Sequence, residues 1–226
     1  VDRITHETVA AGMFVDPDSE TSPLEHWDDR PTGLQLQRTM SRIGSGEREE
    51  IYGQEPFTLL ITGLSASGKT TLAVELERRL FDAGKKCVLL DGQDLRFGIS
   101  RDLGFSAEER SENLRRAAEI AKMLNDAGLI CIAAFVAPQE DVRQRVRQLI
   151  GPDRFIHTHL TTPVNICRQR DTTGRYSAAD QGELASFPGV TFAYERPPTA
   201  DIEVSTQSLD PRAAASKVLE FLDAKM

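Results

Sequence analysis

Eight consecutive residues constrain this chain more than any other feature: Gly63-Leu64-Ser65-Ala66-Ser67-Gly68-Lys69-Thr70. They follow a short β-type run, Phe57 to Thr62, and precede an amphipathic stretch with Leu72, Leu76 and Leu80 one helical turn apart. Glycines let successive backbone N–H groups face one anion, and the start of a helix adds partial positive charge. A lysine at the seventh position reaches the outer phosphates of a nucleotide, and the hydroxyl after it ligates magnesium. The pattern predicts that Gly63 to Thr71 bind a nucleotide with Mg2+, that Lys69 bridges its outer phosphates and that Thr70 is the metal ligand. It leaves the phosphoryl acceptor open, because GTPases, ATPases and kinases share such a loop.

The rest of the chain supports one architecture. Further β-type runs stand at Cys87 to Leu90, Leu129 to Phe135, Phe155 to Leu160 and Ile202 to Val204. Between them lie helical patterns. One opens on Ser106 and Glu109 in capping-box spacing and stops at Gly128, one follows Pro138, and one runs from Pro211 to Leu222. Strands alternating with helices predict an α/β fold of the P-loop nucleoside triphosphate hydrolase and nucleotide-kinase type, a parallel sheet with helices on both faces. Residues 15–55 are polar and broken by Pro17, Pro23 and Pro31, so they read as a linker before a domain at 56–226; within them, Leu34 to Ile43 has helical spacing.

Composition narrows the function. With 226 residues, 39% hydrophobic and 27% charged, the chain is sized for one large core and has no apolar run near the ~20 residues of a membrane span. A net charge of −8 argues against a nucleic-acid partner. Cys87, Cys131 and Cys167 share no metal or redox spacing and read as buried reduced thiols, in keeping with a cytoplasmic location. The start lacks an initiator Met and a signal peptide, which suggests a piece of a longer polypeptide. His157 and His159 project from one strand face without the further ligands zinc requires. Arg115 and Arg116 read as a solvated face.

Three segments carry a resemblance. They are Asp91 to Arg116, containing Asp91-Gly92-Gln93-Asp94-Leu95-Arg96 and Arg110-Ser111-Glu112-Asn113; Asp126 to Cys131; and Arg170-Asp171, followed by a lid at about 171–192 with Gly182-Glu183 and Phe187. With the glycine loop, they resemble the adenylylsulfate (APS) kinase family from about Pro56 onward. The resemblance implies transfer of the ATP γ-phosphate to the 3′-hydroxyl of adenosine 5′-phosphosulfate, forming PAPS, by a homodimer. It implies that Arg96, Arg110 and Asn113 hold the phosphosulfate and ribose, and that Phe105 and Phe187 sandwich the adenine. Arg170 would lie beside the ATP base, and Asp91 would act at the reacting centre together with Lys69 and Arg96. Arginine forks suit phosphate and sulfate oxygens and aromatic faces suit a purine, so the residue types agree with these roles.

The sequence departs from the family's pattern where chemistry is concerned. Gln93 replaces an Asp, Phe97 a His and Ala137 a Ser, and after Tyr176 stand Ser177, Ala178, Ala179 and Asp180 where relatives carry lysines and an arginine. Two other readings therefore stay open: a kinase of another nucleotide-like acceptor, and a regulatory nucleotide-binding domain. Asp2 to Met13 resemble the closing strand of the GTPase-type sulfate adenylyltransferase large subunit. That implies a fusion in which residues 1–14 are the remnant of a preceding domain and His26-Trp27 docks on the kinase or a second subunit.

Overall fold

The computed structural model describes Trp27, Leu36, Thr39 and residues 41–225. The proposed remnant at 1–14 and His26 lie outside the described residues. A first helix, α1 (Ser45–Tyr52), precedes β1 (Thr58–Thr62), α2 (Lys69–Asp82), β2 (Cys87–Asp91), α3 (Ala107–Asp126), β3 (Ile130–Ala134), α4 (Glu140–Ile150) and β4 (Phe155–Leu160). Then come α5 (Val164–Arg170), α6 (Arg175–Asp180), β5 (Ile202–Val204) and α7 (Pro211–Lys225). The five strands form one parallel sheet in the order β2-β3-β1-β4-β5, with Leu59 opposite Ile132 on one side and Ile156 on the other.

The sheet is buried on both faces, which is why β3, and β1 from Leu59 to Ile61, are continuous apolar runs instead of alternating ones. On one face α2 and α7 enclose Leu59, Ile61, Leu72, Leu76, Val218 and Leu222. On the other, α3 and α4 cover Leu60, Leu114, Ala118, Val142, Val146 and Phe155. The helix signals act as expected at α3, where the Glu109 amide donates to Ser106 Oγ at 3.2 Å and the Ser106 amide to Glu109 Oε2 at 2.9 Å.

Three polar side chains inside the sheet, Thr62, His157 and His159, are partnered across strands. Thr62 Oγ1 lies 2.8 Å from His157 Nε2 and 3.3 Å from His159 Nδ1, and Tyr194 stacks on His159 at 5.9 Å. Burial lowers these imidazoles to pKa values of about 3 and about 4, so both are neutral structural groups at pH 7. The three cysteines are free; Cys131 is fully enclosed in β3 and burial pushes its thiol up to about 12. Arg115 and Arg116 pair with Glu112 at 2.7 and 2.8 Å, and Arg116 also reaches Asp102.

The stretch read as linker contributes structure of its own. Its helix is α1, delimited by the Glu47 carboxylate accepting from the Gly44 amide and by left-handed Gly53, whereas Leu36, Thr39 and residues 41–43 are not helical. Residues 34, 35, 37, 38 and 40 of the Leu34 to Ile43 stretch lie outside the described residues. Gln54 ties α1 to the body, donating to the carbonyls of Lys86 at 3.0 Å and Gly128 at 2.8 Å. Trp27 packs beside the α3 core, its indole N–H donating to Ser111 Oγ at 2.9 Å. Among the described residues, no helix is long and apolar enough to cross a membrane.

Candidate active site

After β1 the chain places β2 two positions away, fills the gap with β3, and then lays β4 on the opposite side of β1. Such a reversal opens a crevice at the carboxyl ends of the strands. The glycine loop leaves β1 into that crevice. Gly63 has φ +146°, and a Cβ there would lie 2.9 Å from Ser67 Oγ and 3.0 Å from Leu160 Cβ, so only glycine fits. Gly68, at φ +97°, turns the chain into α2.

A cavity of about 950 Å³ begins at this loop. Ser65, Ala66, Gly68, Lys69, Thr70 and Thr71 line it, whereas Gly63, Leu64 and Ser67 support it from behind. The Leu64 side chain packs on the lid beside Val190, and the Ser67 carbonyl accepts from the Thr206 hydroxyl at 2.8 Å and the Thr162 hydroxyl at 3.3 Å. Lys69 Nζ donates to the Leu64 carbonyl at 2.7 Å. Burial, opposed by the Asp91 charge, lowers its pKa to about 8. Thr70 Oγ1 donates to Asp91 Oδ2 at 2.6 Å, and Asp91 Oδ1 accepts from the Gln93 amide at 2.8 Å.

A hydroxyl and a carboxylate in contact form a hard-oxygen pair of the kind that holds Mg2+ together with phosphates and water. No cluster of three or more His, Cys, Asp or Glu suited to a metal occurs among the described residues, so the donor set fits magnesium shared with a phosphate better than an all-protein cage. Arg170 borders the same end of the cavity, its guanidinium bonded to the Thr206 hydroxyl at 2.8 Å and carbonyl at 2.7 Å.

Across from the loop, Arg96, Phe105, Arg110 and Asn113 line the cavity. Arg96 donates to the carbonyls of Gly92 at 2.7 Å and Gly104 at 3.0 Å. Both guanidiniums sit over the Phe105 ring, 4.6 Å away for Arg96 and 5.3 Å for Arg110. Burial, with help from the neighbouring Arg96, lowers Arg110 to about 10, so it stays charged at pH 7. Asn113 Nδ2 donates to the Gly92 carbonyl at 3.1 Å while its Oδ1 is buried without a partner. Phe187 also reaches the cavity, but the two aromatics differ: Phe105 is 53% exposed and Phe187 only 4%, packed edge-on against Tyr176 at 4.9 Å.

The segment 171–192 lies over these groups. Asp171 accepts from the Tyr176 amide at 2.9 Å, the Tyr176 hydroxyl donates to the Ser65 carbonyl at 3.0 Å, and Arg110 donates to the Ser186 carbonyl at 2.8 Å. The lid is thus tied to the loop and to α3 together. Sequence reasoning missed Thr206 as a cavity residue, and it named Gln93 only as a departure from the family's pattern. Thr206 follows β5 closely, so the rule that ligands gather at strand ends was a usable signal; the contact between Gln93 and Arg175 was not readable, because it depends on where the lid folds.

Comparison with known proteins gives a consistent picture. The family model for adenylylsulphate kinase matches residues 55–205. A bifunctional enzyme CysN/CysC of Rhodopirellula baltica is 49% identical over 225 residues, which is all of this chain and 35% of that protein. The chain therefore spans about a third of that relative's length. An adenylyl-sulfate kinase of Shewanella pealeana is 46% identical over 182 residues, 80% of this chain and 89% of that one. Among solved structures, Mycobacterium tuberculosis APS kinase CysC in complex with AMPPNP and APS superposes with a TM-score of 0.71 at 34% identity, covering 75% of this chain and 98% of that one.

Proposed function

This chain belongs to the adenylylsulphate kinase family, and we propose on that footing that it transfers the γ-phosphoryl group of ATP to the 3′-hydroxyl of adenosine 5′-phosphosulfate. The supporting observation is the convergence of Lys69, Thr70 and Asp91 with Arg96, Arg110, Asn113 and both phenylalanines on one cavity. The 3′-oxygen bonds to the γ-phosphorus as the bond to the bridging oxygen breaks. ADP leaves with the bonding pair, and the hydroxyl proton passes to Asp91 or to solvent.

In this reading Gly63 to Thr71 hold the triphosphate, with Lys69 against its outer oxygens and Arg170 at the base. Thr70, with Asp91 behind it, would hold Mg2+, which when bound supplies charge neutralisation at the β- and γ-oxygens. Arg96 and Arg110 take the phosphosulfate, Phe105 and Phe187 the adenine, and the partnerless Asn113 Oδ1 accepts from a ribose hydroxyl. Full stacking on Phe187 requires its ring to move away from Tyr176.

The test is to incubate the chain with magnesium, ATP and APS and to separate PAPS and ADP by anion exchange. Turnover of another acceptor with none of APS would favour the different-acceptor reading, and binding without turnover the regulatory one. We also propose that the kinase is a homodimer at the end of a cytoplasmic bifunctional sulfate-activating enzyme, divided as 1–14, 15–55 and 56–226. The bifunctional relative supports the fusion, and mass measurement by light scattering tests the dimer.

A further inference from the structure

Five cations line the cavity: Lys69, Arg96, Arg110, Arg170 and Arg175. The first four are held by backbone carbonyls of Leu64, Gly92, Gly104, Phe105, Ser186 and Thr206. Arg175 is held differently. Among the described residues its side-chain hydrogen bond runs from Nη2 to the amide oxygen of Gln93, at 3.0 Å, and it forms no ion pair with a carboxylate. Its charge is therefore uncompensated by a direct partner.

Its position joins the two halves of the site. Arg175 opens α6, next to Tyr176, whose hydroxyl touches the phosphate loop at Ser65. Gln93 lies in the turn between Asp91 and Arg96. The lid helix thus presents a guanidinium between the donor loop and the acceptor arginines. Lys69 and Arg110 both lie within its field: burial is the main cause of their lowered basicity, and the Arg175 charge adds to it in each. The rest of α6 offers the cavity no cation, since Ser177, Ala178 and Ala179 are uncharged and Asp180 pairs with Arg168 outside it. The other charged lid residue at the cavity is Glu183, so without Arg175 the lid would contribute net negative charge.

We propose that Arg175 is a catalytic residue of this kinase, placing its guanidinium on the phosphoryl group as it passes from donor to acceptor, and that Gln93 is a positioning residue that holds it without neutralising it. The inference rests on the kinase reading above. Arg175 exchanges no proton or electron pair; the bonds made and broken remain those already given. An amide at position 93 keeps the hydrogen bond yet leaves the full positive charge for the phosphoryl oxygens, whereas a carboxylate would form an ion pair at the same distance and draw that charge away.

Steady-state kinetics with magnesium, ATP and APS test this. Arg175→Ala should lower kcat by about 10²- to 10⁴-fold, the range in which arginines act on phosphoryl transfer, with KM for both substrates within about threefold. Arg175→Lys should recover part of the loss. Gln93→Glu should lower kcat by about tenfold, less at high salt because the added charge is exposed, while Gln93→Ala should be milder. An Arg175→Ala enzyme with kcat within about twofold of native, a loss confined to KM, or a Gln93→Glu enzyme with native kcat overturns the assignment. If Arg175→Ala fails to bind ADP, Arg175→Lys and Gln93→Glu decide the matter by the same kcat criterion. A native chain that forms no PAPS overturns the kinase reading itself, and a native chain that forms PAPS beside an equally active Arg175→Ala overturns only the arginine's role.

Discussion

Raising the pH should weaken nucleotide binding in a window set by one amine. Lys69 donates to the Leu64 carbonyl at 2.7 Å, and burial, partly offset by Asp91, lowers its pKa to about 8. A triphosphate seated on the loop returns the amine to its charged form, because nearby anions favour the ammonium. The free protein then loses its proton as the pH passes about 8, while the complex keeps it to near the ordinary lysine value of about 10.4. For one linked proton, affinity falls by about tenfold between roughly pH 7 and pH 9. Part of the side chain remains accessible, so solvent screening makes this the upper end. Phosphate groups with a second pKa of about 6 do not titrate in the window.

Calorimetric titration of a non-hydrolysable ATP analogue with magnesium, in two buffers of different ionisation enthalpy, reads both the affinity and a proton uptake that approaches one above about pH 8. Lys69→Arg keeps a charge that does not titrate, so its profile should be flat. Equal native affinity at both ends, or a parallel decline in Lys69→Arg, refutes the reasoning. Ligand-free stability should move the other way at this group. Between about pH 8 and 10.4 the unfolded chain binds more protons than the folded one, so stability rises with pH there.

Leu76 is fully enclosed between α2 and the sheet, so Leu76→Ala should cost about 2–5 kcal/mol in urea unfolding. Trp27 is the chain's one tryptophan, and Ser111→Ala removes its indole partner, so emission should shift to the red and acrylamide quenching should rise; an unchanged spectrum would place the indole elsewhere. Arg143, 2% exposed, pairs with Glu140 at 2.6 Å and donates to the carbonyls of Ala137 and Glu195, so Arg143→Met should cost about 3 kcal/mol by thermal unfolding.

Local signals made much of this protein legible. Parallel strands buried on both faces must be short apolar runs, and the five seen were readable to within a residue or two. Ser106 with Glu109 marked the start of α3, and the glycine loop fixed the donor site, because its spacing is the chemistry. The helix α1 went unread because its residues are polar and bury no apolar stripe, and its cap is a glycine, Gly44. At the aromatic pair, sequence named both residues but not their difference, since the burial of Phe187 follows from Tyr176 packing against it.

The sequence by itself determined the α/β class and the phosphate loop, because periodicity, capping and glycine conformation are decided within a few residues; the cavity's Arg96, Phe105, Arg110, Asn113, Arg170 and Phe187 were named through the family resemblance. Only the tertiary structure decided the strand order, the support of the loop by Thr206 and the meeting of Arg175 with Gln93 across 82 residues. Those pairings join groups far apart in the chain, and their geometry is set by how the helices and lid pack on the sheet.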